Sequence, residues 1–154
     1  MEEVSLAPLI DEAFSVLQDA AAYKNVALTR SGEAVVFGVK RLLFEMTYNL
    51  CDNAIKYNKC DGHVDVRVLQ VGDSVRISVK DTGIGIPEDQ LSRVFERFYR
   101  VDKSHSKQSG GTGLGLSIVK HVVQYHHGKI EVHSKEGVGT EIIIELPIKQ
   151  ENGK

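Results

Sequence analysis

Two runs of strict alternation constrain this chain more than any other feature. Val64, Val66 and Val68 are separated by Asp65 and Arg67; after Gly72-Asp73 the pattern resumes as Val75, Ile77 and Val79, separated by Arg76 and Ser78. A period of two puts the apolar side chains of a strand on one face. The Gly-Asp pair between the runs is a turn signal. The segment therefore reads as an antiparallel hairpin with one buried and one wet face. A lone hairpin is at best marginally stable, so other elements must cover that apolar face.

The rest of the chain supplies the cover. Leu6, Leu9, Ile10, Ala13, Phe14, Leu17 and Ala21 recur at steps of three and four and predict an amphipathic helix over 6–22. Short strands are expected at 26–29 and 34–37, parted by Ser31-Gly32. A second helix is expected over 40–57, with Leu42, Leu43, Met46, Leu50 and Ile55 as its apolar set. A third is expected over 115–127, with Gly128 as its cap. Strands at 129–134 and 140–147 follow, joined by 136–139. Between Asp81 and Gly115 the pattern is mostly irregular, with one short helix expected at 88–95, and a loop this long is usually functional. The length of 154 residues fits one domain. These elements predict an α/β (α+β) two-layer sandwich, a mixed sheet covered on one face by about three helices.

Composition excludes several classes. The net charge of −2 provides no broad positive field for nucleic acid or anionic lipid, so phosphate chemistry must come from local geometry. Cys51 and Cys60 match no zinc spacing and read as reduced thiols. The start, Met-Glu-Glu-Val-Ser, lacks the basic and apolar regions of a signal peptide. No apolar run approaches the ~20 residues that span a bilayer. The expectation is a cytoplasmic piece with no membrane contact of its own.

Three stretches carry chemistry. In the second helix Glu45, Asn49, Asn53, Lys56 and Tyr57 share one face. A solvated stripe is the plain alternative, but two asparagines are poor helix formers and point to specific bonds. An Asn oxygen is a neutral ligand suited to Mg²⁺ when phosphates supply the other oxygens, and Lys56 is a point charge for phosphate. The second stretch, Asp81-Thr-Gly-Ile-Gly-Ile-Pro87, follows a strand whose last inward residue is Val79. This puts the Asp81 carboxylate at a pocket edge, able to accept a bond from an exocyclic amine. Gly83 and Gly85 let the backbone approach a flat ring. An aspartic-protease reading fails because no second Asp-Thr/Ser-Gly exists. The third, Gly110-Gly-Thr-Gly-Leu-Gly-Leu-Ser117, ends a loop and opens a helix, where backbone N–H groups can cradle phosphate. It is no P-loop, since Leu116 stands where the Lys belongs.

In this order and spacing, Asn-x-x-x-Asn-Ala, Asp-x-Gly-x-Gly and Gly-Thr-Gly-Leu-Gly-Leu resemble the ATP-binding catalytic domain of bacterial sensor histidine kinases. The resemblance covers about residues 4–148. Residues 45–57 look like the family's asparagine box, and 81–87 like its first glycine box. Residues 94–100 are similar to its phenylalanine box, 111–115 to its second glycine box, and 138–140 to its closing Gly-Thr. It implies a Bergerat-type fold with a mobile lid at about 101–112, anchored by Phe95 and Phe98, and ATP and Mg²⁺ as its ligands. It further implies that Asn53 ligates the metal, with Asn49 close to metal and phosphate. Lys56 and Tyr57 would contact the phosphates and ribose. Asp81 would take the adenine amine, with Thr140 assisting, and Arg100 would approach the γ-phosphate. Gly83, Gly85, Ile86, Gly111, Thr112, Gly113, Leu114, Gly115 and Leu116 would complete the nucleotide contacts.

The resemblance also implies partners. None of the six histidines lies in a phosphoacceptor run; His121, His126 and His127 read as helix C-terminal cations. The phosphoaccepting histidine is thus expected on a dimerisation domain outside residues 1–154. Its parent would be a membrane-anchored dimer feeding a response regulator receiver domain, with this piece alone a monomer. Most related ATPases and anti-sigma kinases carry a Glu four residues before the metal-binding Asn, as general base. Here Asn49 holds that position, which favours a kinase acting on imidazole over an ATPase, an anti-sigma-type kinase or a degenerate non-catalytic nucleotide-binding module.

Overall fold

The computed structural model describes residues 1–87, 89 and 115–148. The expected short helix at 88–95, the box at 94–100 and the lid at 101–112 lie outside the described residues. In chain order the elements are β1 (Glu2–Ser5), α1 (Leu6–Lys24), β2 (Ala27–Ser31), β3 (Val35–Gly38), α2 (Lys40–Lys56), β4 (His63–Val71) and β5 (Ser74–Asp81). Then come α3 (Gly115–Tyr125), β6 (Lys129–Lys135) and β7 (Gly139–Pro147). The hairpin forms as β4 and β5, with Val64 opposite Asp81 and Val71 opposite Ser74.

Five strands make the main sheet in the order β2-β4-β5-β7-β6. The β2–β4 pair is parallel and the others are antiparallel. β2 and β3, adjacent in sequence, do not pair. β2 enters the main sheet, while β3 pairs with β1, a strand that the alternation did not foretell. The Phe37 N–H ties this ribbon to the Ile148 carbonyl beyond β7 at 3.0 Å.

The apolar face is laid down in rows across the strands. Val68, Ile77, Ile144 and Ile130 form one row and Val66, Val79, Ile142 and Val132 the next. Leu9, Ile10 and Leu17 of α1, Leu43, Met46 and Leu50 of α2, and Val119, Val122 and Val123 of α3 belong to the same core. Full burial of each such side chain stabilises by roughly 1.5–3 kcal/mol. The other face is polar; the Ser78 hydroxyl donates to Glu141 at 2.6 Å and Arg67 pairs with Asp65 at 2.7 Å.

Two helix ends are finished in different ways, one by a side chain from another helix and one by its own turn. The Lys24 ammonium donates to the carbonyls of Ile55 at 3.2 Å, Lys56 at 2.6 Å and Asn58 at 3.0 Å. One cation thus gathers carbonyls at and just beyond the end of α2, where Ile55 O also accepts the Asn58 N–H at 3.1 Å. At the end of α3, His127 N–H reaches Gln124 O and Gly128 N–H reaches Val123 O, a Schellman closure. The left-handed residue there is His127 (φ 61°) and not Gly128. Gly128 serves by close approach, since a Cβ there would lie 2.5 Å from Glu145 O.

His126 also departs from expectation. It is buried; its Nδ1 lies 2.8 Å from Val122 O and its Nε2 accepts the Val39 N–H at 3.1 Å. A carbonyl can only accept and an N–H only donates, so the ring is neutral with its proton on Nδ1. It is a buried link between α3 and the start of α2, not a surface cation.

Candidate active site

The sheet's apolar face ends in a polar row. Beyond Val66–Val79–Ile142–Val132, the next positions are Val64, Asp81, Thr140 and Ser134, each directly opposite its neighbour. Three polar side chains on three adjacent strands thus close the sheet face at one end. The Asp81 Oδ1 accepts Gly83 N–H at 2.8 Å and Thr140 N–H at 3.3 Å. Its Oδ2 has no hydrogen-bond partner among the described residues. Burial pushes this carboxyl up to about 6, against the pull of the Gly83 and Thr140 N–H groups.

Ser134 is the member that sequence reasoning missed. Its Oγ accepts Ile86 N–H at 2.7 Å, lies 3.0 Å from Gly139 O and 2.8 Å from Thr140 Oγ1. The signal was available: Ile130, Val132 and Ser134 alternate inward, and a hydroxyl ends an otherwise apolar series.

The loop after β5 is built for close backbone contact. Gly85 has φ 75° and a Cβ there would collide with Lys135 O. A Cβ at Gly83 would collide with Tyr57 O, which accepts Ile84 N–H at 3.0 Å. Ile86 is buried. Asn58, also missed, is buried and joins helix end to loop; its Oδ1 accepts from Lys59 N–H at 2.9 Å and Thr82 Oγ1 at 3.1 Å, and its amide donates to His63 O at 3.1 Å. The end of α2 and the Asp81 loop are thus fastened together.

The polar face of α2 borders this region. Glu45, Asn49, Asn53, Lys56 and Tyr57 are all half-buried, which departs from a merely solvated stripe. Asn49 Nδ2 donates to Glu45 O at 2.7 Å. A Cβ on Gly115, the first residue of α3, would lie 3.4 Å from Asn49 Oδ1, so the start of α3 abuts the asparagine face. The Asn53 side chain has no hydrogen-bond partner among the described residues. Lys56 pairs with Asp52 at 2.9 Å and Glu45 with Arg41 at 3.3 Å, so both acids of this face are already matched by cations. Leu116 is half-buried against the core. Arg100, Gly111, Thr112, Gly113 and Leu114 lie outside the described residues.

For a metal the donor set is sparse: among the described residues no group of three His, Cys, Asp or Glu could hold one. A half-buried, unpartnered Asn53 amide fits a cation that takes one neutral protein oxygen and draws its other ligands from phosphate and water, the habit of Mg²⁺.

A sheet covered by helices on one face, with an unspent carboxylate at its polar end and an asparagine-lined helix beside it, defines a nucleotide-binding ATPase fold. The chain belongs to the family described as Histidine kinase-, DNA gyrase B-, and HSP90-like ATPase, whose profile matches residues 38–150. ATP is therefore the substrate of this class of site. Within the family the similarity is to sensor histidine kinases. The chain is 38% identical over 149 residues to the sensor-like histidine kinase SenX3 of Mycolicibacterium smegmatis, covering 96% of this chain and 39% of that protein. It is 50% identical over 105 residues to the sensor histidine kinase WalK of Bacillus subtilis, covering 67% of this chain and 17% of that protein. Among solved structures, the mycobacterial sensor histidine kinase MprB superposes with a TM-score of 0.84 at 30% identity, covering 96% of this chain and 97% of that one. Full-length ShkA in complex with AMPPNP superposes at 0.79 with 28% identity, covering 94% of this chain and 30% of that one. The chain thus spans well under half the length of these two curated relatives. No described helix is long and apolar enough to cross a membrane.

Proposed function

We propose that this domain binds Mg²⁺–ATP and transfers the γ-phosphoryl group to a histidine on a separate dimerisation domain of a two-component sensor kinase, from which it passes to a response regulator receiver domain. Asp81 Oδ2 accepts the adenine amine, Thr140 lies beside it, and Gly83, Gly85 and Ile86 give the ring its backbone wall. Asn53 and Asn49 hold the metal and phosphates; the metal, when bound, neutralises charge on the transferring group. Lys56 and Tyr57 contact phosphate and ribose. Gly111–Leu116 cradle the phosphates, and Arg100 meets the γ-phosphate.

The observation that carries the kinase reading is the pairing on α2. Asn49 stands where a base would be, and the carboxylates of Asp52 and Glu45 are engaged by Lys56 and Arg41. The amide at that position cannot deprotonate water, and the nearby carboxylates are held in ion pairs away from it. An imidazole needs no such help. Its nitrogen attacks the γ-phosphorus, the bond to the bridging oxygen breaks, and ADP leaves.

The test is Asn53→Ala. Calorimetric ATP binding should lose its Mg²⁺ dependence and phosphotransfer should vanish, while the thermal transition stays cooperative because Ala suits a helix. Collapse of that transition would make Asn53 structural. Mg²⁺-dependent binding as strong as wild type would remove it from the metal site.

A further inference from the structure

We propose that Ser134 is a positioning residue for base selection: by taking the Thr140 proton it leaves only acceptors, the lone pairs of Thr140 Oγ1 and the Asp81 carboxylate, facing the six-position of the purine. This rests on the reading that the polar row receives the base of ATP. Ser134 owns one hydroxyl proton and accepts Ile86 N–H at 2.7 Å. Gly139 O, 3.0 Å away, can only accept, so it takes that proton. Either hydroxyl could donate in the 2.8 Å contact between Ser134 and Thr140; with the Ser134 proton on Gly139 O, Thr140 is the donor. Thr140 has no other side-chain hydrogen bond among the described residues, and it stands directly opposite Asp81 on the same sheet face. Its hydroxyl therefore presents lone pairs and no proton beside the carboxylate. A 6-amino purine donates to such a pair of acceptors. A 6-oxo purine sets its own carbonyl against them, and a buried acceptor without a donor is penalised. The same hydroxyl anchors Ile86 and the β6–β7 turn, so the geometry of the row and its polarity depend on one atom.

Without Ser134 the Thr140 proton is released to rotate toward the base, where it can serve a 6-oxo group. The measurement is displacement of a fluorescent ADP analogue by ATP and by inosine triphosphate, which has a carbonyl at the six-position and, with it, an N1–H where adenine has a bare nitrogen. Wild type should prefer ATP. In Ser134→Ala the preference should shrink about tenfold, the effect of one ordinary hydrogen bond, chiefly through tighter inosine triphosphate. Adding Thr140→Val should withdraw that gain, and Ser134→Thr, which keeps the hydroxyl, should retain the wild-type ratio. If Ser134→Ala does not melt cooperatively, Ser134→Cys, with a feeble acceptor of similar size, should show the same narrowing. A wild type that prefers ATP with an unchanged ratio in a folded Ser134 variant overturns this inference alone. A wild type that binds neither nucleotide overturns the ATP reading beneath it.

Discussion

Asp81 sets stability against binding. Its carboxyl is raised from 3.8 to about 6, so between those values the folded chain holds a proton that the unfolded chain releases. Without nucleotide, stability should therefore rise as pH falls from about 6 toward 4, to the extent that this group governs it. ATP affinity should move the other way, because a protonated Oδ2 no longer accepts the amine as an ion. Asp81→Asn should melt higher than wild type at pH 7.5 yet bind ATP at least tenfold more weakly, and both pH dependences should flatten. Thermal melts and calorimetry from pH 5 to 8 check this; an Asn variant that melts lower would mean that the buried charge is stabilised by groups other than those named. A second residue offers stability without touching the site. His127 holds φ 61° at the close of α3, a conformation that costs a non-glycine residue roughly 1–2 kcal/mol. His127→Gly should raise unfolding stability by about 1 kcal/mol in urea titration, after the entropy that glycine adds to the unfolded chain.

At the scale of elements, the end of α2 depends on a residue from another helix. Burial pulls the Lys24 ammonium down, and its bonds to the Lys56 and Asn58 carbonyls have no substitute among the described residues, whereas Ile55 O also accepts the Asn58 N–H. Lys24→Met keeps the aliphatic stem but leaves the Lys56 and Asn58 carbonyls short of a donor, and should cost about 1–3 kcal/mol by urea denaturation. The same helix end positions Tyr57 O and Asn58 against the Asp81 loop, so ATP affinity should fall with it; loss of stability with affinity untouched would separate the two. The helices and the hairpin were legible because 3.6- and 2-residue periods record which face is buried. β1 was not legible, because four residues with two exposed glutamates show little alternation. The parallel pairing of β2 with β4 was invisible for another reason: two strands separated by a helix carry no local mark of their register. Ser134 and Asn58 were missed because each is a single polar residue in a hydrophobic or turn context, and its value lies in joining separate elements, Ser134 to Ile86 and Asn58 to Thr82.

For the whole molecule, the site is an edge phenomenon of the core. The rows of Val, Ile and Leu that hold sheet to helices stop at Val79, two residues before the end of β5, and the polar row takes the next inward position. The place of Asp81 at the end of β5 was legible from the alternation, and the shared face of Asn49, Asn53 and Lys56 from helical spacing; their roles toward a nucleotide belong to the proposal. The neutral state of His126 was not legible, since it follows from a 3.1 Å bond to Val39, 87 residues away. In the proposed reaction the division of labour is likewise a property of an assembly: this chain would supply nucleotide and charge compensation, and a separate domain the nucleophile. The most direct measurement is incubation with γ-labelled ATP and Mg²⁺ of the chain alone, and of the chain mixed with the histidine-bearing dimerisation domain that the proposal requires. Label should reach only that domain, slowly because no tether raises the local concentration, in an acid-labile and base-stable linkage, with little free phosphate released. Label on any of the six histidines of this chain, or steady release of phosphate by the chain alone, would contradict the account.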